Sequence, residues 1–253
     1  MVDERGMNRH QVADPRDHDD AQRGWLKRLA HGVYLRPSSP DDPNRTLPWQ
    51  VATASMHTIM GIPFHVGGTT ALDLQGHRHD ARMSGEDRVA PYAPKLPGWL
   101  SKIEVDARFE ARSSNLFSDA DLGVEPLDGP AFGFGADASL PVSAPERAIL
   151  EALDEWPKGA GFDPLDMVFQ GLVNVRRRTL MALLTTCRKV KVVRLFFAFA
   201  DRQQHAWLKH LDTSKLTFGQ GDRQLVKGGK IHPTYRITVP AGIVTTERET
   251  DEA

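Results

Sequence analysis

A single cysteine, Cys187, is all that 253 residues provide, so no internal disulfide can form, which fits a reducing compartment. No stretch of about 18 apolar residues occurs, and no transmembrane helix is expected. The first 20 residues are polar and acidic and lack the apolar core of a signal peptide, so the cytoplasm is the default location, with no membrane partner. Phosphate-loop and dinucleotide glycine patterns are missing, and Gly67-Gly68 and Gly228-Gly229 lack the residues that would complete them. The G-x-S-x-G elbow of serine hydrolases is missing too. No catalytic residue, cofactor or metal site is therefore expected, and the chain reads as a non-enzyme.

Net charge is also scarce, at −1, but it is unevenly spread. Between Leu172 and Arg236 stand 14 Lys/Arg against three Asp, a net of +11 that leaves −12 for the rest of the chain. Such asymmetry suits a surface that attracts a polyanion or an acidic protein. The 40% hydrophobic content suffices for one large or two small domains.

Periodicity predicts an α+β fold. Trp25 to Leu35 reads as a β-hairpin around His31-Gly32. Thr46 to Met60 reads as a helix capped by Thr46, with Pro48 in its first turn. A short strand at Pro63–Gly67 leads to a helix through about Gln75, capped by Thr69 or Thr70. Ile103 to Phe109 alternates like a strand, and Asp128 to Pro141, rich in Gly and Pro, reads as a linker.

The second half carries four helical stripes. Ser143-Ala-Pro-Glu146 has the capping-box pattern ahead of Ile149, Leu150, Leu153 and Trp156. Asp163 is the expected cap of Leu165, Val168, Phe169 and Leu172. Leu180, Leu183, Leu184 and Cys187 form the third stripe, with the cysteine packed inside, and Val193, Phe196, Phe197 and Ala200 the fourth. These predict a small helical bundle. Strands at Lys215–Phe218, Arg223–Val226 and Tyr235–Val239 should follow, with Gly228-Gly229 as a turn.

Several clusters could carry function. The basic hairpin resembles the wing of a winged helix, with Arg23, Lys27, Arg28, His31 and Arg36 available to DNA phosphates; a solvated hairpin in an ordinary α+β protein explains it equally well. The basic helices offer Arg176, Arg177, Arg188, Lys189, Lys191, Arg194, Arg202, Lys209, Lys227 and Lys230 as a surface, or as the usual solvated side of amphipathic helices. His77, His79 and Asp80, with His57 and His65, match no usual zinc spacing. Glu104 and Asp106, two apart in the expected strand, would share one face, as a magnesium-dependent nuclease pair requires and as any half-exposed strand provides.

Gly24-Trp-Leu-Lys-Arg to Gly32-Val-Tyr34, Phe64-His-Val-Gly67, Thr69 to Leu74, Leu96-Pro-Gly-Trp-Leu100, Ser143 to Leu150, Trp207-Leu-Lys-His-Leu211 and Tyr235 to Val239 follow one another in an order that resembles the AbiEi antitoxins of type IV toxin–antitoxin systems. The resemblance spans Gly24 to Pro240. It implies an N-terminal winged helix that binds inverted repeats in its own promoter. It also implies a C-terminal antitoxin domain that opposes a nucleotidyltransferase-like toxin without requiring a stable complex. The expected division is a disordered 1–20, a winged-helix-like 21–95, an antitoxin domain at 96–240 and a disordered tail at 241–253. The family usually has a longer helical lead before the Gly-Trp-Leu motif. Here 23 residues precede it, and Asp17, Asp19 and Asp20 stand where a recognition helix belongs, where they would repel phosphate. The winged helix is thus expected to be shortened. A truncated antitoxin without competent DNA binding is the second reading, and the nuclease the third.

Overall fold

Caps and strand partners drawn from distant parts of the chain move several element boundaries away from where local signals place them. A computed structural model describes residues 27–30, 33–35, 46–58, 60–77, 87–128, 139–159, 161–241 and 243–244. Two compact units interleave along the sequence: Met1–Val66 with Ser84–Ser113 and Glu125–Val142, and Gly67–Met83 with Ser114–Val124 and Ser143–Ala253. Both mix helices with short strands, so the class is α+β. No helix among the described residues is long and apolar enough to cross a membrane.

The first unit contains the expected hairpin, β1 (Lys27–Ala30) antiparallel to β2 (Val33–Leu35). Lys27 pairs with Leu35 and Arg28 with Tyr34, but Ala30 pairs with Val33, so the register slips by one residue at Leu29. Helix α1 runs Trp49–Thr58 and starts later than the sequence suggested. Thr46 does not cap it. The Pro48 carbonyl accepts its first bond, from the Val51 N–H at 3.0 Å, and the Trp49 N–H donates to Asp106 Oδ1 at 2.7 Å. A carboxylate 57 residues away thus serves the positive end of the helix.

Strand β3 (His65–Val66) lies at the centre of a five-stranded sheet. Its order is β7 (Arg112–Ser113), β5 (Pro91–Ala93), β3, β9 (Ser139–Ser143), β8 (Val124–Asp128). A parallel pair, β4 (Asp87–Val89) with β6 (Ala107–Phe109), stands separately. The expected strand at Ile103–Phe109 is therefore shortened to its last three residues. Val105 makes an isolated bridge with Leu47 instead.

In the second unit, α2 (Gly68–Leu74), α3 (Pro145–Glu155), α4 (Phe162–Gly171), α5 (Arg177–Thr186) and α6 (Val190–Gln203) form the helical core. Every apolar residue of the four predicted stripes except Cys187 is buried. Helix α6 is buried without interruption from Val192 to Ala200, the signature of a helix enclosed on all sides. Phe169 of α4 lies 5.6 Å from the Phe196 ring and 5.0 Å from the Phe199 ring. Each such fully buried side chain stabilises by roughly 1.5–3 kcal/mol.

The caps differ from expectation. Ser143 and Glu146 form no capping box, because both side chains have tertiary partners. Ser143 Oγ donates to Glu151 Oε2 at 2.8 Å, and Glu146 accepts from Arg176. Neither Thr69 nor Thr70 caps α2; its Gly68 N–H donates to Glu151 Oε2 at 3.0 Å. Helix α4 has Gly161 at its N-cap, with Asp163 in the first turn. Cys187 falls one residue past α5, half-buried, in a bridge with Phe117, and burial raises its thiol pKa.

A small sheet, β10 (Arg223–Gln224), β12 (Ile237–Val239) and β11 (Lys230–Ile231) in that order, follows the helices. The turn between β10 and β11 includes Gly228-Gly229 as expected. A Cβ on Gly229 would stand 2.6 Å from the Val239 carbonyl oxygen, so only glycine fits that approach. Lys215–Phe218 is not a strand; Thr213–Lys215 makes a single 3-10 turn, and the next residues wrap the start of α6.

Candidate basic cleft

Sorting the cations by their partners separates those that build the second unit from those left at its surface. Arg194, expected on the surface, is 2% exposed. Its guanidinium donates to the carbonyls of Phe218 (2.5 Å), Gly221 (2.8 Å) and Arg236 (3.1 Å). It is a peg that holds a loop against α6, and its charge is unavailable to a partner. The sequence carried a sign of this: Arg194 is flanked one turn away by Val190 and Ala198 and is the one polar residue in the run Val192–Ala200.

Arg176 is the residue before α5, and both its backbone N–H (2.7 Å) and its guanidinium (2.8 Å) bind the Glu146 carboxylate. Arg202 pairs with Asp166 at 3.1 Å. Lys189 reaches Asp154 Oδ2 at 2.6 Å, and the Lys191 ammonium donates to the Asp154 and Trp156 carbonyls at 2.6 and 3.2 Å, at the C-terminal end of α3. Burial lowers the Lys191 pKa, against the pull of Asp154. Arg177, Arg188, Lys209, Lys227 and Lys230 are exposed and make no ion pair among the described residues.

The Arg176–Glu146 pair sets an acid limit on stability. Burial alone would raise the Glu146 pKa, but the Arg176 hydrogen bonds overcome it and hold the carboxyl below its ordinary value. A folded-state pKa below the unfolded one gives stability that is present above the unfolded value of about 4.3 and lost as pH falls through the folded value. Urea unfolding between pH 7 and pH 3 should show this fall in the wild type and a shallower one in Arg176→Ala. Equal slopes in both proteins would show that the pair does not set the limit.

Between residues 188–191 and 222–225 lies an open cleft of about 630 Å³. Arg188, Lys189 and Lys191 line one wall and Arg223 the other; Asp222 is the one acid in the lining and is engaged by Arg236 at 2.6 Å. The N-terminus of α6 opens here, with no acidic residue in its first turn and no side-chain cap, so its positive end adds to the field. The Arg223 N–H donates to the Arg236 carbonyl, the same oxygen that accepts from Arg194, so the buried arginine positions the second wall. Arg223 was counted in the basic segment but not among the surface candidates. Only the three-dimensional return of β10 to α6 brings it to the cleft that Arg188 lines.

Among the described residues, the remaining candidates form no second cluster. Arg23, His31 and Arg36 lie outside the described residues, and Lys27 and Arg28 belong to β1. Glu104 and Asp106 do not share a strand face, because both precede β6 and Asp106 caps α1. His57 sits edge-on to Phe64 and His65 stacks on Tyr92, while His79 and Asp80 lie outside the described residues.

Two family models match. One, described as transcriptional regulator, AbiEi antitoxin, type IV TA system, covers residues 89–240. The other, described as transcriptional regulator, AbiEi antitoxin N-terminal domain, covers residues 8–83, including the aspartates at 17, 19 and 20. The fold is similar to the crystal structure of the RV2827C protein from Mycobacterium tuberculosis, with 14% identity and a TM-score of 0.58 over 89% of this chain and 79% of that one. At that identity the similarity speaks for the fold alone. No curated protein matches the chain.

Proposed function

Since the chain belongs to the AbiEi family of type IV antitoxins and transcriptional regulators, we propose that it represses its own promoter through its N-terminal domain and opposes a nucleotidyltransferase-like toxin through the basic face of its C-terminal domain. The observation that carries this reading is the order of the two matches, an N-terminal model directly followed by the antitoxin model. The antiparallel hairpin inside the N-terminal match supports a wing. Its basic residues Lys27 and Arg28, with Arg23, His31 and Arg36 around it, would rest on phosphates flanking inverted repeats. The protein acts by binding and performs no chemistry of its own. On the antitoxin side, the exposed cations around the cleft, Arg188 and Arg223 foremost, form the working face.

Co-expression with a nucleotidyltransferase-like toxin of a type IV system tests the antitoxin half. Wild-type protein should restore growth, and Arg188→Glu with Arg223→Glu should not, while keeping a wild-type unfolding midpoint. Full rescue by the folded double variant would remove the cleft from the account, and no rescue by the wild type would remove the antitoxin activity against that toxin.

A further inference from the structure

The cleft's chemistry narrows what it can take. Lys189 and Lys191 already hold the end of α3, so their ammonium groups are partly spent. Arg188 and Arg223 make no ion pair among the described residues and stand on opposite walls. Two guanidinium forks across one space suit an anion with oxygens pointing several ways; a carboxylate offers only two, in one plane. The open N-terminus of α6 supplies backbone donors of the same preference. A volume of about 630 Å³ falls in the range of small-ligand sites. No aromatic ring lines it, so nothing would stack on a base, and recognition rests on phosphate.

We propose that the cleft between 188–191 and 222–225 is a phosphate-binding site, with Arg188 and Arg223 as the binding residues and Arg194 as the positioning residue beneath them. The inference rests on reading this cleft as the working face of the antitoxin domain. The phosphate has two possible sources: a free polyphosphate chain such as that of a nucleotide, or the backbone of a nucleic-acid strand.

The test uses the full chain with two probes, inorganic tripolyphosphate by calorimetry and a fluorescein-labelled single-stranded 12-mer by anisotropy, at low and moderate salt. Wild type should bind tripolyphosphate, and Arg188→Ala with Arg223→Ala should weaken it by about tenfold or more, given the strength of charge-assisted hydrogen bonds. Arg177→Ala with Lys209→Ala, which alters cations outside the cleft, should stay near wild type. If the same double variant also weakens the 12-mer, the source is a nucleic-acid strand; if only tripolyphosphate is affected, it is a free polyphosphate. Absence of tripolyphosphate binding, or binding unchanged by the Arg188/Arg223 variant, overturns the site. Growth rescue separates this failure from that of the functional reading. A charge-reversed cleft that loses rescue while the wild type binds no phosphate leaves an acidic protein as the partner and rejects the phosphate site. A variant that loses phosphate binding yet still rescues keeps the phosphate site and rejects the cleft as the neutralising face.

Discussion

Arg147→Met should lower unfolding stability by about 3–5 kcal/mol, the range for removing one partner of a buried ion pair. Arg147 is fully buried on α3. Its Nε donates to Glu151 Oε1 at 2.8 Å, its Nη1 donates to the Ala120 and Leu122 carbonyls at 2.8 and 2.7 Å, and its guanidinium lies 4.9 Å from the Phe117 ring centre. Methionine fills much of the volume but serves none of these groups. It takes the paired guanidinium away from the Glu151 carboxylate, 1% exposed, to which Ser143 and Gly68 also donate. Adding Glu151→Gln keeps an acceptor for Ser143 and Gly68 and removes the buried charge that Arg147 balanced. The Arg147→Met/Glu151→Gln protein should therefore be more stable than Arg147→Met alone. Urea midpoints for the four members of this cycle measure the coupling. Additive losses would show that the pair is not coupled and that the cost comes from packing.

Arg194→Leu should cost roughly 3 kcal/mol or more, because each hydrogen bond to a charged group contributes about 1.5–3 kcal/mol and the Phe218 and Gly221 carbonyls lose this donor, while the Arg236 carbonyl keeps the Arg223 N–H. Proteolysis within 216–222 should accelerate, since those residues hang on this guanidinium. Arg188→Glu, six residues earlier, ahead of α6 and exposed, should leave stability within about 0.5 kcal/mol of wild type. Equal, small effects at both positions would place Arg194 back among the surface cations.

The contrast between Arg188 and Arg194 shows how far the sequence could be read. The apolar stripes Ile149–Leu153, Leu165–Leu172, Leu180–Leu184 and Val193–Ala200 announce themselves because each element satisfies its own periodicity, and the helices appear where expected. The hairpin was legible for the same reason, apart from its irregularity at Leu29. Partnerships across long separations were not. Ser143 and Glu146 have the spacing of a capping box, yet each is claimed from elsewhere, Ser143 by Glu151 and Glu146 by Arg176. Asp106 alternates like a strand residue and instead caps α1. The cleft itself was half legible. The basic segment marked its neighbourhood, but bringing Arg223 to the cleft that Arg188 lines depends on the loop that Arg194 pins, and no local pattern encodes that loop's path.

The central claim is that this chain reads its own promoter. The most direct measurement is fluorescence anisotropy of the purified full chain with a duplex from its own upstream region and with a scrambled duplex, over a salt series. The account predicts tighter binding to its own sequence, with affinity falling steeply as salt rises, as phosphate contacts with counterion release require. Equal affinity for both duplexes, or no binding to either, would contradict it.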